Sequence, residues 1–161
     1  MRHRSLKAAI DDLASAGQLV RIEEEIDPYL EAAEVQRRVY AAGGPAVYFA
    51  RVKGCRFPMV GNLFGTLDRA RYLFRDTLSA VGKLVALKVD PAEAAKHPLT
   101  YAGALKTVWH TRPKFFGSGE VLRHQTQIDQ LPQVKSWPQD GGAFITLPQV
   151  YTEDATRLGW Q

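Results

Sequence analysis

Cysteine is nearly absent. Cys55 stands alone, so the chain can form no internal disulfide and no Cys-x-x-Cys metal or redox pair. A solitary thiol suits a reducing cytoplasm, where its plainest role is that of a small hydrophobe beside a loop. Histidine is scarce as well. His3, His97, His110 and His124 are scattered, with no pair at the spacing a zinc shell needs. No apolar run approaches the roughly 18 residues that cross a bilayer, and the basic start Met1-Arg2-His3-Arg4-Ser5 is followed by no apolar signal core. Charge of one sign is also missing. The 21 basic and 17 acidic residues leave a net charge of +4, which by itself is no nucleic-acid footprint.

What is present suits a packed core. Of 161 residues, 45% are hydrophobic and 24% charged, enough for one ordinary domain or two small ones. Ser5 predicts an N-cap, with Leu6, Ala9, Ile10 and Leu13 on the inner face of a first helix, Asp11 and Asp12 facing out, and Gly17 closing it. The run from Gln18 to Ile26 reads as a strand with Val20 and Ile22 buried. Its Glu23-Glu24-Glu25 tract reads as a solvated strand end rather than a metal site. Asp27-Pro28 predicts the start of a second helix, with Ala32, Val35, Val39 and Ala42 as its stripe and Gly43-Gly44-Pro45 as its stop.

Two short strands follow, Ala46–Phe49 and Phe57–Asn62, around a basic loop turning at Gly54. Thr66 then caps a helix carrying Leu67, Ala70, Leu73 and Phe74, and a further helix carries Leu78, Val81, Val85 and Leu87. Asp90 to Pro98 is a connector with a helical turn, and Thr100 to His110 is weakly helical. Beyond Gly117 the pattern turns to strands, at Glu120–Gln125, Ile128–Pro132 and Ala143–Tyr151. The Asp140-Gly141-Gly142 turn stands before the last of these. The expected fold class is α+β, with a mixed α/β layer domain over residues 1–115 and a β-rich unit over residues 116–161.

No chemistry is complete within these residues. Gly117-Ser118-Gly119 lacks the five-residue frame of a nucleophile elbow. Gly61-Asn62-Leu63-Phe64-Gly65 follows a strand and precedes a helix, the right setting for an anion, but carries no Lys. Asp140-Gly141-Gly142 reads as an Asx-type turn or as a close approach to a ligand. Arg51, Lys53 and Arg56 leave an anion- or nucleic-acid-binding reading open, against which the interleaved acids argue.

A resemblance adds to this. In order, Gln18-Leu19-Val20-Arg21-Ile22, Asp27-Pro28, Ala42-Gly43-Gly44-Pro45-Ala46, Val52-Lys53-Gly54, Asn62-Leu63-Phe64-Gly65, Leu131-Pro132, Trp137-Pro138-Gln139-Asp140 and Phe144-Ile145-Thr146 resemble the N-terminal part of the UbiD family. These are the 3-polyprenyl-4-hydroxybenzoate decarboxylases and related carboxy-lyases. The resemblance runs from about Leu6 to Tyr151. It implies (de)carboxylation of aromatic or α,β-unsaturated acids with prenylated FMN, held through its phosphate by a divalent metal, Mn or Mg, with a monovalent cation nearby.

It also implies that the β-rich unit is the start of a split β-barrel, flavin-reductase-like cofactor domain. The family's metal-binding Asn, in an Asn-x-Gly-x-Tyr-Arg-like motif, is due immediately after Gln161, and the catalytic carboxylates and metal-binding Glu come later. No catalytic or metal residue is therefore assigned here. Thr146 is the one cofactor-binding candidate, and the chain alone is expected to hold no cofactor. The implied partners are the remainder of the enzyme or a larger carboxylase subunit, in a homo-oligomer when complete, with no nucleic acid and no membrane span. A non-catalytic accessory subunit, serving a carboxylase built of several chains, is the alternative. On either reading residues 118–161 are expected to be poorly packed or docked on another chain.

Overall fold

In the computed structural model, the described residues are 5–96 and 123–145, with His3, Gly103 and residues 107–109, 112–113 and 119. The order is α1 (Leu6–Ser15), β1 (Leu19–Ile26), α2 (Glu31–Ala41), β2 (Ala46–Val52), β3 (Met59–Gly61), α3 (Leu67–Leu73), α4 (Leu78–Val89) and α5 (Pro91–Lys96), then a single tight turn at Ile128–Gln130. Up to α4 this is the predicted helix–strand–helix–strand–strand–helix–helix order.

The helix ends follow their local signals. Ser5 Oγ accepts the Ala8 N–H at 3.2 Å. Behind α1, Gln18 N donates to Leu13 O at 2.8 Å and Gly17 N to Ala14 O at 3.1 Å. This wrap places Gly17 at φ 67°, where a side chain would be strained. Thr66 Oγ1 caps α3 through the Arg69 N–H.

The sheet has the order β1-β2-β3, with β1 parallel to β2 and β3 antiparallel to it. A parallel pair needs a crossover, and α2 supplies it. Ala32, Val35 and Val39 of α2 lie on Ile26, Val47, Phe49 and Val52. Adjacent strand residues point to opposite faces, so Ala46 looks the other way, into a second cluster with Leu13 of α1 and Leu73 of α3. Helices thus cover both faces. The β1–β2 register shifts between Ile22 and Glu25, and Glu23, Glu24 and Glu25 are exposed around that irregularity.

Several expectations are corrected. Helix α2 begins at Glu31 rather than at Asp27-Pro28, behind Leu30 at φ 68°. Asp27 instead accepts the Tyr29 N–H, and Glu31 reaches back to the Asp27 N–H at 2.8 Å. The peptide groups of Pro28 and Leu30 are taken by Lys135, a partner from far along the chain. Val20 is 50% exposed, because it lies on the edge strand and is not among the residues that α2 covers. Asp12 turns inward to meet Arg75 at 2.7 Å, Tyr72 at 3.3 Å and His3 at 2.9 Å, tying α1 to α3. The stretches 123–125 and 128–132 form turns and irregular backbone. Ile128 is exposed there, and neither stretch pairs with a described strand.

Arg69 is the charged residue that local patterning missed. It is 3% exposed. Its guanidinium donates to the carbonyls of Asn62 (2.8 and 3.1 Å), Leu63 (3.2 Å) and Gly44 (2.9 Å). Asn62, at φ 57°, adds its own amide to the carbonyls of Gly44 and Pro45. Burial pulls the Arg69 pKa down from its ordinary value, yet the group remains a cation. Replacing Arg69 with Met would strand these carbonyls, at an expected cost of about 2–4 kcal/mol in urea unfolding. Arg69→Lys should recover less than half, since a compact ammonium lacks the planar fork that reaches the carbonyls of Gly44, Asn62 and Leu63 together. An Arg69→Met variant as stable as wild type would refute the role.

Candidate functional site

Residues 131–145 return to the first hundred residues and close a groove of about 480 Å³ against β3 and the loop after it. Two independent devices hold them. Backbone comes first: Leu30 N donates to Lys135 O at 2.9 Å and Lys135 N to Pro28 O at 3.1 Å. Stacking comes second: the Arg37 guanidinium lies 4.6 Å from the Trp137 ring centroid and donates to Ser136 O at 3.0 Å, while Lys135 Nζ lies 5.1 Å from that of Tyr29. Glu34 orients Arg37 through a bond of 3.1 Å and also accepts from Arg38 at 2.8 Å. Those bonds, Arg38 first and Arg37 second, hold the Glu34 carboxyl below its usual value.

The Asp140 turn proves to be structural. Asp140 Oδ2 accepts the N–H groups of Trp137 (2.7 Å) and Ser136 (3.1 Å), and Phe144 N donates to Val134 O at 2.9 Å. The carboxylate is spent on shaping the turn. Gly141 and Gly142 have open space where a Cβ would lie, and neither takes positive φ. The close approach lies instead at Gly61, where a Cβ would sit 2.5 Å from the Gln36 amide in the groove wall.

The groove is lined mainly by Met59, Leu63, Phe64, Val134, Phe144 and Ile145. It presents an apolar wall but carries no acid/base pair. Among the described residues no group of three His, Cys, Asp or Glu side chains could hold a metal. The loop Gly61–Gly65 turns its carbonyls to Arg69, which argues against the anion reading. Arg51, Lys53 and Arg56 are engaged within the chain, by Glu23 O, Asp27 and the Gln130 side chain. The Cys55 thiol donates to Gln130 O at 3.2 Å while its side chain packs against the core, close to its expected role. His124 is exposed and outside any strand. Thr146, the cofactor candidate, lies outside the described residues, as do His97, His110, Ser118 and the run beyond Ile145.

Comparison with known proteins agrees with the resemblance. The family model for the 3-octaprenyl-4-hydroxybenzoate carboxy-lyase N-terminal domain matches residues 10–88, and that for the Rift-related domain of the same carboxy-lyase matches residues 112–161. A Chlamydia trachomatis protein is 38% identical over 92% of this chain and 26% of its own length. A Chlamydia pneumoniae protein, named as a subunit of 4-hydroxybenzoate decarboxylase, is 35% identical over 94% of this chain and 26% of its own. An Archaeoglobus fulgidus relative is 36% identical over 96% and 33%. Among solved structures, an evolved dimeric form of the UbiD-class enzyme HmfF from Pelotomaculum thermopropionicum, in complex with prFMN, has 30% identity over 55% of this chain and 20% of that one, with a TM-score of 0.43. Both matching family models describe domains of one carboxy-lyase family. This chain belongs to the UbiD family and spans a quarter to a third of the length of these relatives.

Two outcomes test the clasp. Trp137→Ala should speed amide exchange at Leu30, Lys135 and Phe144 by about tenfold, the equivalent of one stacked cation, with Val47 and Phe49 unchanged; equal rates would rule the stack out. The second concerns Asp27. Its carboxyl is held below its ordinary 3.8 by Lys53 and then by the Tyr29 N–H, and Lys53 is raised above 10.5 by Asp27. Asp27 therefore stabilises the fold above 3.8 and loses that contribution as pH falls through its folded value, whereas Lys53 loses its contribution as pH rises past 10.5. Thermal unfolding of Asp27→Asn should show a flatter acid limb than wild type. An identical acid limb would disprove the linkage.

Proposed function

We propose that this chain is the amino-terminal part of a prenylated-FMN-dependent UbiD carboxy-lyase acting on aromatic or α,β-unsaturated carboxylic acids, and that it is inactive alone. The observation that carries this is the ordered match of two successive UbiD domain models to one chain. In this reading residues 1–115 are the N-terminal α/β domain and 116–161 open a split barrel. Thr146 approaches the cofactor only once the barrel is complete, in a cytoplasmic homo-oligomer.

The described residues do not fit the cofactor or its metal. They bring together no carboxylate cluster, and the one carboxylate of the Asp140 turn is engaged by backbone. A site around a flavin-sized ring needs a buried acid/base set and a metal-bridged phosphate. The contribution proposed for this chain is thus positional. Arg37, Lys135 and Trp137 seat the first residues of the second domain, and the groove beside them keeps an apolar wall.

A second reading makes the chain an accessory subunit, one of several in a carboxylase assembly. The Chlamydia pneumoniae relative, whose name makes it one subunit of a decarboxylase, favours it. The two readings part on purification from the native host, since an accessory subunit would elute together with a larger chain carrying the missing groups. The isolated 161-residue chain is expected to show no flavin absorbance after incubation with prenylated FMN and Mn, and no release of CO2 from 4-hydroxybenzoate or cinnamate above background. Steady turnover by the isolated chain would refute the proposal.

A further inference from the structure

Residues 126–145 are tied to one another at short intervals. Thr126 Oγ1 donates to the Gln130 side chain at 2.9 Å, and Gln133 Nε2 to the carbonyls of Ile128 and Leu131 at 3.0 and 2.9 Å. Val134 N donates to Pro132 O at 2.9 Å, and Phe144 N reaches back to Val134 O. The Asp140 carboxylate gathers the N–H groups of Ser136 and Trp137. The stretch is thus linked to itself along its length.

Its ties to the body formed by residues 5–96 are few and polar. The Lys135 peptide group bonds Pro28 O and the Leu30 N–H. Arg37 stacks on Trp137 and donates to Ser136 O. Cys55 and Arg56 donate to the backbone and side chain of Gln130 at 3.2 and 3.3 Å. None of residues 126–145 is buried, and neither core cluster contains one of them. Both clusters close without it. A segment held by a few polar contacts outside the core opens at far lower cost than the core itself. Yet it supplies Val134, Phe144 and Ile145 to the groove, whose other wall is Met59 and Leu63 of the body.

We infer that residues 126–145 are a strap that lifts from the body as one unit while both core clusters stay closed, and that the groove exists only while the strap is down. The internal bonds make its contacts with the body release together rather than singly. Whatever occupies the groove therefore holds the strap down, because it binds only the closed state. The inference concerns the motion of this chain and stands apart from the proposed function.

Amide exchange of the folded 161-residue chain, followed at several low urea concentrations, tests this. The Leu30 and Lys135 N–H groups are the two whose bonds cross between body and strap. Both are expected to show one common degree of protection, about tenfold or more below that of Val47 and Phe49 in β2. Their exchange should depend little on urea, since lifting exposes little surface. Arg37→Gln removes the stack and the Ser136 bond. It should speed both amides by the same factor, about tenfold, and leave β2 unchanged. The wild-type comparison decides alone if that variant does not fold. Exchange of Leu30 and Lys135 only at the rate of β2 would mean that the stretch opens with the whole fold. Unequal protection of the two, or a response of only one to Arg37→Gln, would mean that the contacts fray singly. Exchange of both too fast to follow would mean that no closed strap is held. Each of these outcomes overturns the inference.

Discussion

One buried cation governs how the two halves of the sheet meet. Arg69 reaches from α3 into the loops on either side of the β2–β3 pair and gathers the carbonyls of Gly44, Asn62 and Leu63. An unpaired guanidinium at that depth would be costly, and so would three unpaired carbonyls; together they satisfy one another. The loop after β3 can then fold tightly, with Asn62 in the left-handed region and Gly65 so close that a Cβ would meet the Asn62 side chain at 1.7 Å. That loop supplies Leu63 to the second core cluster and Phe64 to the groove wall, so the core and the candidate site share one anchor.

The return of residues 131–145 is built differently. It carries little buried apolar surface; Trp137, Phe144 and Ile145 are about half exposed. Its hold is polar and local, through the Lys135 peptide group on the turn before α2 and the Arg37–Trp137 stack. Such contacts set register more than they set stability.

Much of the fold was legible because its signals are short in range. Ser5, Thr66, Gly17 and Gly43 mark helix ends through bonds to peptide groups a few residues away, and the i, i+3, i+4 spacing of Ala32, Val35 and Val39 marks the buried side of α2. Two of the misreadings lie where a distant residue competes. The Asp27-Pro28 signal gave way to Lys135, and Asp12 gave up its outward position to Arg75. Leu78, Val81 and Val85 form the apolar stripe the spacing predicts, but among the described residues nothing buries it. Of the candidate site, Asp140 shapes a turn, but by accepting N–H groups three and four residues before it rather than two residues on as an Asx turn would. The groove itself had no sequence signal, because its walls come from stretches about seventy residues apart that have no period in common.

By itself the sequence determined the element order as far as α4, the caps of α1 and α3, the absence of a disulfide framework and, through many weak motifs in one order, the family. Each of these depends on residue identity at short separation or on the order of residues along the chain. Only the tertiary structure decided that Arg69 is a core residue, that the Gly61–Gly65 loop serves that arginine rather than an anion, and that Trp137 rests on Arg37. Those outcomes turn on which groups are left without water when helices and strands close, and burial is a property of the whole packing rather than of any stretch of chain.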